Sequence, residues 1–458
     1  MILDSTICAI SSPAGVGAIS IVRLSGPKSF DIAGKIVSNS TYFNKIEANK
    51  IVFSKIMTES SEVLDEVMIS KFLAPKSFTG ENMVEIFCHG SQYIQNEIVS
   101  LLIEKGASVA KPGEFTQRAF LNGKLDLSQS EAVADLISSS NAEYHKIAMN
   151  QMKGHVSDEI KQLRMKMIEL VSLLELELDF GEEDVEFADR TQLKELTESL
   201  LIRIGKLAES FKYGNAVKNG VPVTIAGAPN SGKSTLLNAL VQEERAIVSS
   251  IPGTTRDTIE EELIIDGISF RLTDTAGIRK SEDEIEKIGI ERAYSKINKA
   301  SLVVLLLDSN VEIGENKQII HNIQSEITQD QKLIIVFNKI DKISKENAKL
   351  MSEIDGAIGI SAKFKKDIEN LLTQMTDYVF SLKTLETNVI ISSVRHYEML
   401  VKSVESLQIA AKALEDNLSG DFVSQDLREA MFFLGEITGD ISNEEVLGAI
   451  FSKFCIGK

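Results

Sequence analysis

Short apolar runs alternate with helical stretches through the middle of the chain. Val221–Ala226, Leu302–Leu307, Leu333–Phe337 and Ile358–Ile360 carry almost no polar side chains. Such runs suit strands buried on both faces by crossover helices. Thr258–Ile265 and Ile268–Thr273 flank Asp266-Gly267, a two-residue hairpin signal. Together they predict a doubly wound α/β domain over 216–380.

The flanks read differently. Residues 1–120 mix the strand-like runs Ile19–Leu24, Val67–Phe72 and Met83–Phe87 with short helices, which predicts an N-terminal α+β domain. Ser128-Gln129-Ser130-Glu131 has the form of a capping box and predicts a helix from there to about Asn150. Apolar residues recur at Ile160, Leu163, Met167, Leu170 and Leu174, a near-heptad stripe that suits a helical-bundle core. Glu175–Glu186 then holds seven carboxylates in twelve residues, better read as a solvated face or loop than as a metal site. Residues 381–458 return to helical patterning without strand signals. A domain at 216–380 placed between two helical stretches predicts a discontinuous α-helical bundle, with 121–215 and 381–458 packed together.

Composition narrows the setting. At 458 residues the chain has room for several domains. A hydrophobic content of 43% with 25% charged residues places it among soluble globular chains. No stretch approaches a membrane span, and the start Met1-Ile2-Leu3-Asp4 has no signal-peptide pattern, so no membrane partner is expected. Cys8, Cys88 and Cys455 are isolated, and His89 beside Cys88 finds no second pair to complete a zinc site. That favours a reducing, cytoplasmic location. A formal net charge of −18 excludes a broad basic face for nucleic acid. Any RNA contact must be local or supplied by a partner.

The chemistry is concentrated in 216–380. Gly227-Ala228-Pro229-Asn230-Ser231-Gly232-Lys233-Ser234 is a full-length phosphate-binding P-loop between a predicted strand and the predicted helix Ser234–Leu240. Its glycines let backbone N–H groups converge at a helix N-terminus, where anions bind. Lys233 reaches the outer phosphates, and the Ser234 hydroxyl suits Mg²⁺. Thr235 follows in the same turn. Asp274-Thr275-Ala276-Gly277 ends a strand and supplies a carboxylate for the Mg²⁺ shell and a close backbone N–H for the γ-phosphate. Asn338-Lys339-Ile340-Asp341 follows the strand 332–337, and the Asp341 carboxylate accepts the guanine donor edge, selecting GTP over ATP. Ser361-Ala362-Lys363 follows the strand 357–360 and packs on the base. The loop Ser249-Ser250-Ile251-Pro252-Gly253-Thr254-Thr255 lies where a switch belongs, with Thr255 the second Mg²⁺ ligand. Each motif alone is weak. Their order along 227–363 predicts a Ras-like P-loop GTPase domain.

Residues outside that domain carry a closer resemblance. Ala14–Gly26, Ser77-Phe78-Thr79-Gly80-Glu81, the run Lys111–Asp126 and the tail Phe454-Cys455-Ile456-Gly457-Lys458 are similar to the bacterial tRNA modification GTPase family MnmE, also called TrmE. The final lysine argues against reading the tail as a prenylation box. The resemblance implies a homodimer formed through the N-terminal domain and a flavoprotein partner, MnmG, in a heterotetramer. It implies installation of an aminomethyl-type group, such as carboxymethylaminomethyl, at C5 of the wobble uridine of certain tRNAs. It further implies a reduced folate of the 5-formyl- or methylene-tetrahydrofolate type, held by Arg23, Glu85, Lys124 and Lys458, with Cys455 a candidate for modification chemistry. The implied domains are 1–120 for folate binding and dimerisation, 121–215 and 381–458 helical, and 216–380 for GTP.

The same resemblance addresses hydrolysis. Ile278 stands where Ras-like enzymes carry a water-orienting glutamine. Glu286 matches the family's water-orienting glutamate, with Glu282, Asp283 and Glu284 as neighbours. Arg256 and Arg279 are not assigned as arginine fingers. Asn230, Ser249, Ile251 and Thr254 match positions that cage K⁺, a cation able to neutralise the developing charge. A ribosome-assembly or regulatory GTPase acting as a K⁺-dependent switch is the alternative. Such proteins often append a basic RNA-binding module, which 381–458 does not display.

Overall fold

The computed structural model describes residues 5–179, 190–241, 246–248, 260–273, 297, 299–328, 330–383, 389–441, 444–452 and 454–457. The chain divides into two compact units, 1–138 with 148–198 and 405–458, and 139–147 with 199–404.

The first unit holds a sheet of β1 (Ile7–Ile10), β2 (Gly17–Ser25), β3 (Ile51–Met57), β4 (Val63–Phe72), β5 (Met83–Gly90) and β6 (Ser108–Val109). Its order is β3-β4-β5-β2-β1-β6, antiparallel except for the β1–β6 pair. Alternation sends Val22, Leu24, Val84 and Ile86 into a core with Ile32, Ile36, Ile98 and Leu102 of the helices Ser29–Ile36 and Gln92–Glu104. Strands β1 and β3 were not legible in the sequence. The edge strand β3 exposes Ile51 and Phe53, so its pattern has no polar outward face.

The near-heptad stripe is as expected. Ile160, Leu163, Met167, Leu170 and Leu174 are all buried in the helix His155–Asp179. They pack against Gly420–Thr438, whose Val423, Leu427, Ala430, Leu434 and Ile437 are buried. The ion pairs Arg164–Asp440 and Glu175–Arg428 set these two helices antiparallel. Beyond Asp179 the acidic run lies outside the described residues.

Two helix expectations need correction. The helix expected from Ser128 to Asn150 is two helices, Leu127–Ser138 and Ala142–Met152. The Ser138-Ser139-Ser140-Asn141 stretch interrupts it, because short polar side chains bond the backbone in place of the helix. Asn141 Oδ1 accepts from the Tyr144 N–H at 2.8 Å and caps the second helix. The capping box also starts earlier than expected. Asp126 Oδ1 accepts from the Gln129 N–H at 2.8 Å while the Asp126 N–H donates to Gln129 Oε1 at 3.0 Å. Ser128 instead is buried and its hydroxyl has no partner.

The second unit holds the sheet of β7 (Val221–Ala226), β8 (Ala246–Val248), β9 (Glu260–Ile265), β10 (Ile268–Thr273), β11 (Leu302–Asp308), β12 (Lys332–Asn338) and β13 (Ile358–Ile360). Its order is β13-β12-β11-β7-β10-β9-β8, parallel from β13 to β10. Both faces are covered. Leu302, Val304 and Leu306 pack with Leu371 and Met375 on one side, and Val303, Leu305 and Leu307 pack with Ile320 and Leu350 on the other. That two-sided burial is why β11 reads as an unbroken apolar run. The Asp266-Gly267 hairpin forms as expected, with both residues at positive φ, 49° and 79°.

Candidate functional sites

Strand β7 lies between β11 and β10, where the order of the sheet reverses. Crevices at the carboxyl ends of strands at such a point bind ligands. The P-loop leaves β7 there and enters the helix Lys233–Val241. Its turn needs positive φ at Gly227 (151°), Asn230 (65°) and Gly232 (101°). Glycine is required at two of these for space as well. A Cβ on Gly227 would lie 2.3 Å from Leu306 O, and one on Gly232 2.3 Å from Asn338 Nδ2.

Asn338 joins three motifs that are far apart in sequence. Its Nδ2 donates to Ser231 O at 2.8 Å, and its Oδ1 accepts from the Lys339 N–H at 2.9 Å and the Ala362 N–H at 3.0 Å. This buried amide therefore sets the P-loop, the Asn338–Asp341 segment and the Ser361–Lys363 turn in one frame. Lys339 Nζ donates to Asn230 O at 2.9 Å and to Asp308 Oδ2 at 2.5 Å. Asp308, at the end of β11, was not picked out in the sequence because no motif contains it. Asp341 Oδ1 accepts from Ser361 Oγ at 2.7 Å, a bond that holds the Asp341 carboxyl below the usual carboxylate range. Lys233 Nζ donates to Gly227 O and Ala228 O, both at 2.8 Å, so it lies across its own loop. Ser234 and Thr235 are exposed on the first helical turn.

The Ser234 hydroxyl at this helix start and the exposed Asn230 at the loop fit hard cations bound together with a nucleotide. Ser249, Ser250, Ile251, Pro252, Gly253, Thr254, Thr255, Asp274, Thr275, Ala276, Gly277, Ile278, Glu286 and Lys458 lie outside the described residues.

The N-terminal sheet carries a second constellation on the face opposite its main core, beside the small buried cluster of Ile7, Ala9, Ala110 and Phe115. Arg23 on β2 faces Glu85 on β5 in register, with Nη2 and Nε donating to Glu85 Oε1 at 2.8 and 3.0 Å. The guanidinium sits 5.5 Å from the Phe78 ring centroid and 5.6 Å from that of Phe115, within cation–π reach. Arg23 Nη1 also points to Gly457 O at 3.5 Å, and Ser11 Oγ donates to the same oxygen at 2.9 Å. The tail is seated tightly, since a Cβ on Gly457 (φ 95°) would lie 2.1 Å from Ile10 O. Lys124 is exposed beside Gly80, whose Cβ would lie 3.2 Å from Lys124 Cγ. The loop Ser77–Glu81 thus sets Phe78 against Arg23 and leaves Gly80 beside Lys124.

Behind this ledge is a buried ion network to which the sequence reading gave no role. Arg118, with a side chain only 3% exposed, donates to Glu81 Oε1 at 3.1 Å, Glu114 Oε1 at 2.8 Å and Ser5 O at 2.7 Å. Ser25 Oγ donates to Glu81 Oε2 at 2.7 Å. Removing one member of such a network leaves an uncompensated buried charge, a loss of about 3–5 kcal/mol. Cys455 is exposed in the tail, whereas burial pushes the Cys8 and Cys88 thiols up to about 11.

A P-loop at the switch point of a doubly wound sheet, framed by an Asn-Lys-x-Asp strand end and a Ser-Ala-Lys turn, defines a P-loop GTPase. Comparison with known proteins makes the assignment narrower. Residues 127–455 match the MnmE helical domain and residues 6–124 the GTP-binding protein TrmE N-terminus. A tRNA modification GTPase MnmE of Flavobacterium psychrophilum is 46% identical over 100% of both chains. That of Cytophaga hutchinsonii is 47% identical over 99% of this chain and 98% of its own. Among solved structures, the G domain of the T. maritima FeoB iron transporter is 26% identical over 34% of this chain and 98% of its own, with a TM-score of 0.26. The chain belongs to the tRNA modification GTPase MnmE family. Among the described residues, no helix is long and apolar enough to cross a membrane.

Proposed function

We propose that the protein hydrolyses GTP to drive modification at C5 of the wobble uridine of certain tRNAs, acting with a flavoprotein partner of the MnmG type. Asn338, which ties the P-loop to both base-recognition segments, is the observation that supports guanine-nucleotide chemistry most directly. Residues 1–120 form the folate-binding and dimerisation domain, 121–215 and 381–458 the helical domain, and 216–380 the GTPase domain.

In this reading Lys233 leaves its loop carbonyls and pairs with the outer phosphates. Ser234 and Thr255 hold Mg²⁺, which neutralises phosphate charge. Asp341 pairs with the guanine N–H edge, and Ser361 keeps that carboxylate ionised and aimed. Asn230, Ser249, Ile251 and Thr254 hold K⁺. Glu286 orients the water that attacks the γ-phosphorus, and the bond to the β–γ bridging oxygen breaks to release phosphate and GDP. At the N-terminal ledge, Arg23, Glu85, Lys124 and Lys458 bind a reduced folate. Cations suit its glutamate tail, and a carboxylate suits the amide and amine edge of its pterin.

Single-turnover hydrolysis at saturating GTP tests the nucleotide half. Turnover is expected in KCl and poor in NaCl at matched ionic strength. Glu286→Ala is expected to bind GTP normally and to hydrolyse it about 10²–10³-fold more slowly. Equal rates in the two salts contradict the K⁺ cage. A near-normal Glu286→Ala alongside an inactive variant of Glu282, Asp283 or Glu284 moves the role to that neighbour.

A further inference from the structure

The turn after Ser361-Ala362-Lys363 ends in a large aromatic side chain that is 63% exposed, Phe364. An aromatic there adds little to any core. The turn that presents it is nevertheless tightly fixed. Ser361 and Lys366 exchange both backbone hydrogen bonds at 3.1 Å, and the Phe364 N–H donates to Ser361 O at 3.1 Å. Lys365 (φ 52°) occupies the left-handed region, which disfavours a long side chain, and Asp367 (φ 60°), a residue type that tolerates it, follows two positions on. Backbone held this way against its preference is a pointer to a role for what it displays.

What the ring touches is Lys363, whose ammonium lies 5.5 Å from the Phe364 centroid, within cation–π range. Lys363 directly follows Ala362, whose N–H is bonded to Asn338, and Ser361, whose hydroxyl holds Asp341. The ring therefore acts on the one cation of this turn that adjoins the base-recognition groups.

We infer that Phe364 is a positioning residue of the guanine subsite, holding the Lys363 ammonium so that its aliphatic stem lies along one face of the bound purine. The inference rests on the guanine-nucleotide reading of the site. Docking of the base covers Lys363 and takes water from the lysine–ring pair, which strengthens the contact in the bound state. The effect belongs to the base, so GDP and GTP share it and pyrophosphate does not.

Calorimetric titration of the full chain with GDP, and separately with pyrophosphate, tests this on the wild type, Phe364→Ala, Phe364→Trp, Lys363→Met and the double variant Lys363→Met/Phe364→Ala. Phe364→Ala is expected to weaken GDP by about fivefold to tenfold, the difference between a desolvated and an exposed cation–π contact. Phe364→Trp is expected to restore wild-type affinity, and pyrophosphate binding is expected to be unchanged throughout. The double variant is expected to bind GDP like Lys363→Met alone, because without the cation the ring has nothing to hold. Wild-type GDP affinity in Phe364→Ala, additive losses in the double variant, or an equal loss with pyrophosphate overturns the inference while the nucleotide reading stands. A wild type that binds no guanine nucleotide overturns both.

Discussion

The two sheets of this chain deliver chemistry in opposite ways. The β7–β13 sheet is buried on both faces, so its side chains are spent on packing and its chemistry comes from loops at the carboxyl ends of parallel strands. The β1–β6 sheet packs a large core on one face and only the small Ile7–Ala9–Phe115 cluster on the other, and beside that cluster strand side chains themselves form the ledge, as Arg23 and Glu85 do across β2 and β5. In the first arrangement the functional residues fall in contiguous runs such as Gly227–Ser234. In the second they are paired across strands, 62 residues apart for Arg23 and Glu85. The nucleotide site rests on loop backbone that aims a few side chains, such as Asn338 and Asp341, and the N-terminal ledge on charges paired across neighbouring strands.

Substitutions separate the two regions, and the largest effect belongs to the P-loop. Gly232→Ala places a Cβ 2.3 Å from the Asn338 amide and breaks the frame of all three motifs. It is expected, like Lys233→Ala, to weaken GTP by about 100-fold or more, since charge-assisted bonds to phosphate contribute about 1.5–3 kcal/mol each. Equilibrium binding measures this, and folate binding is expected to be unaltered in both variants.

Arg23→Ala is the reciprocal change. It is expected to weaken 5-formyl-tetrahydrofolate by about 10–100-fold, by the same charge-assisted terms, while GTP affinity stays at the wild-type value. Calorimetry with each ligand on each variant completes the comparison. A loss of both ligands from either variant would mean that the regions are not independent. An absence of heat from the wild type with folate would leave 1–120 without its proposed ligand.

Asp341→Asn acts within the nucleotide site alone. GTP is expected to weaken by about tenfold or more and xanthosine triphosphate to gain, because an amide presents a donor where the guanine N–H groups need an acceptor. Ser361 keeps the Asp341 carboxyl below its usual range, so its acceptor role persists above that range and is lost only as pH falls through the lowered pKa. Guanine preference measured between pH 5 and 8 (about one to several pH units above the usual carboxylate range) is expected to be flat.

The smallest effect is kinetic. Cys455 is exposed in the tail, and Cys8 and Cys88 are buried with raised thiol pKa values. Under native conditions a maleimide is expected to label Cys455 rapidly and the other two only on unfolding. Mass mapping of the labelled peptides reads the order.

The same contrast explains what could be read from the sequence. The P-loop, the Asn338–Asp341 segment and the Ser361–Lys363 turn were legible because each is a short run next to a predicted strand. Asp308 was not, because its bond to Lys339 crosses from one strand end to another. The Arg23–Glu85 pair carries no local pattern, and only family resemblance raised it above ordinary surface charge. The capping box was misplaced because two overlapping sequences, starting at Asp126 and at Ser128, both fit. Burial of Ser128 decided between them, and burial is a property of the tertiary fold. The break at Ser139–Asn141 was in plain view as a polar cluster, but the periodic residues on either side concealed it.

If the nucleotide site and the N-terminal ledge serve a single product on tRNA, that product requires both. Mass spectrometry of wobble uridines tests it most directly, on tRNA from a strain deleted for this chain and complemented with the wild type, Lys233→Ala or Arg23→Ala. The C5 modification is expected to disappear on deletion, to return with the wild type and to return with neither variant. Intact C5 modification in the deletion strain, or its return with Lys233→Ala or Arg23→Ala, would contradict that dependence.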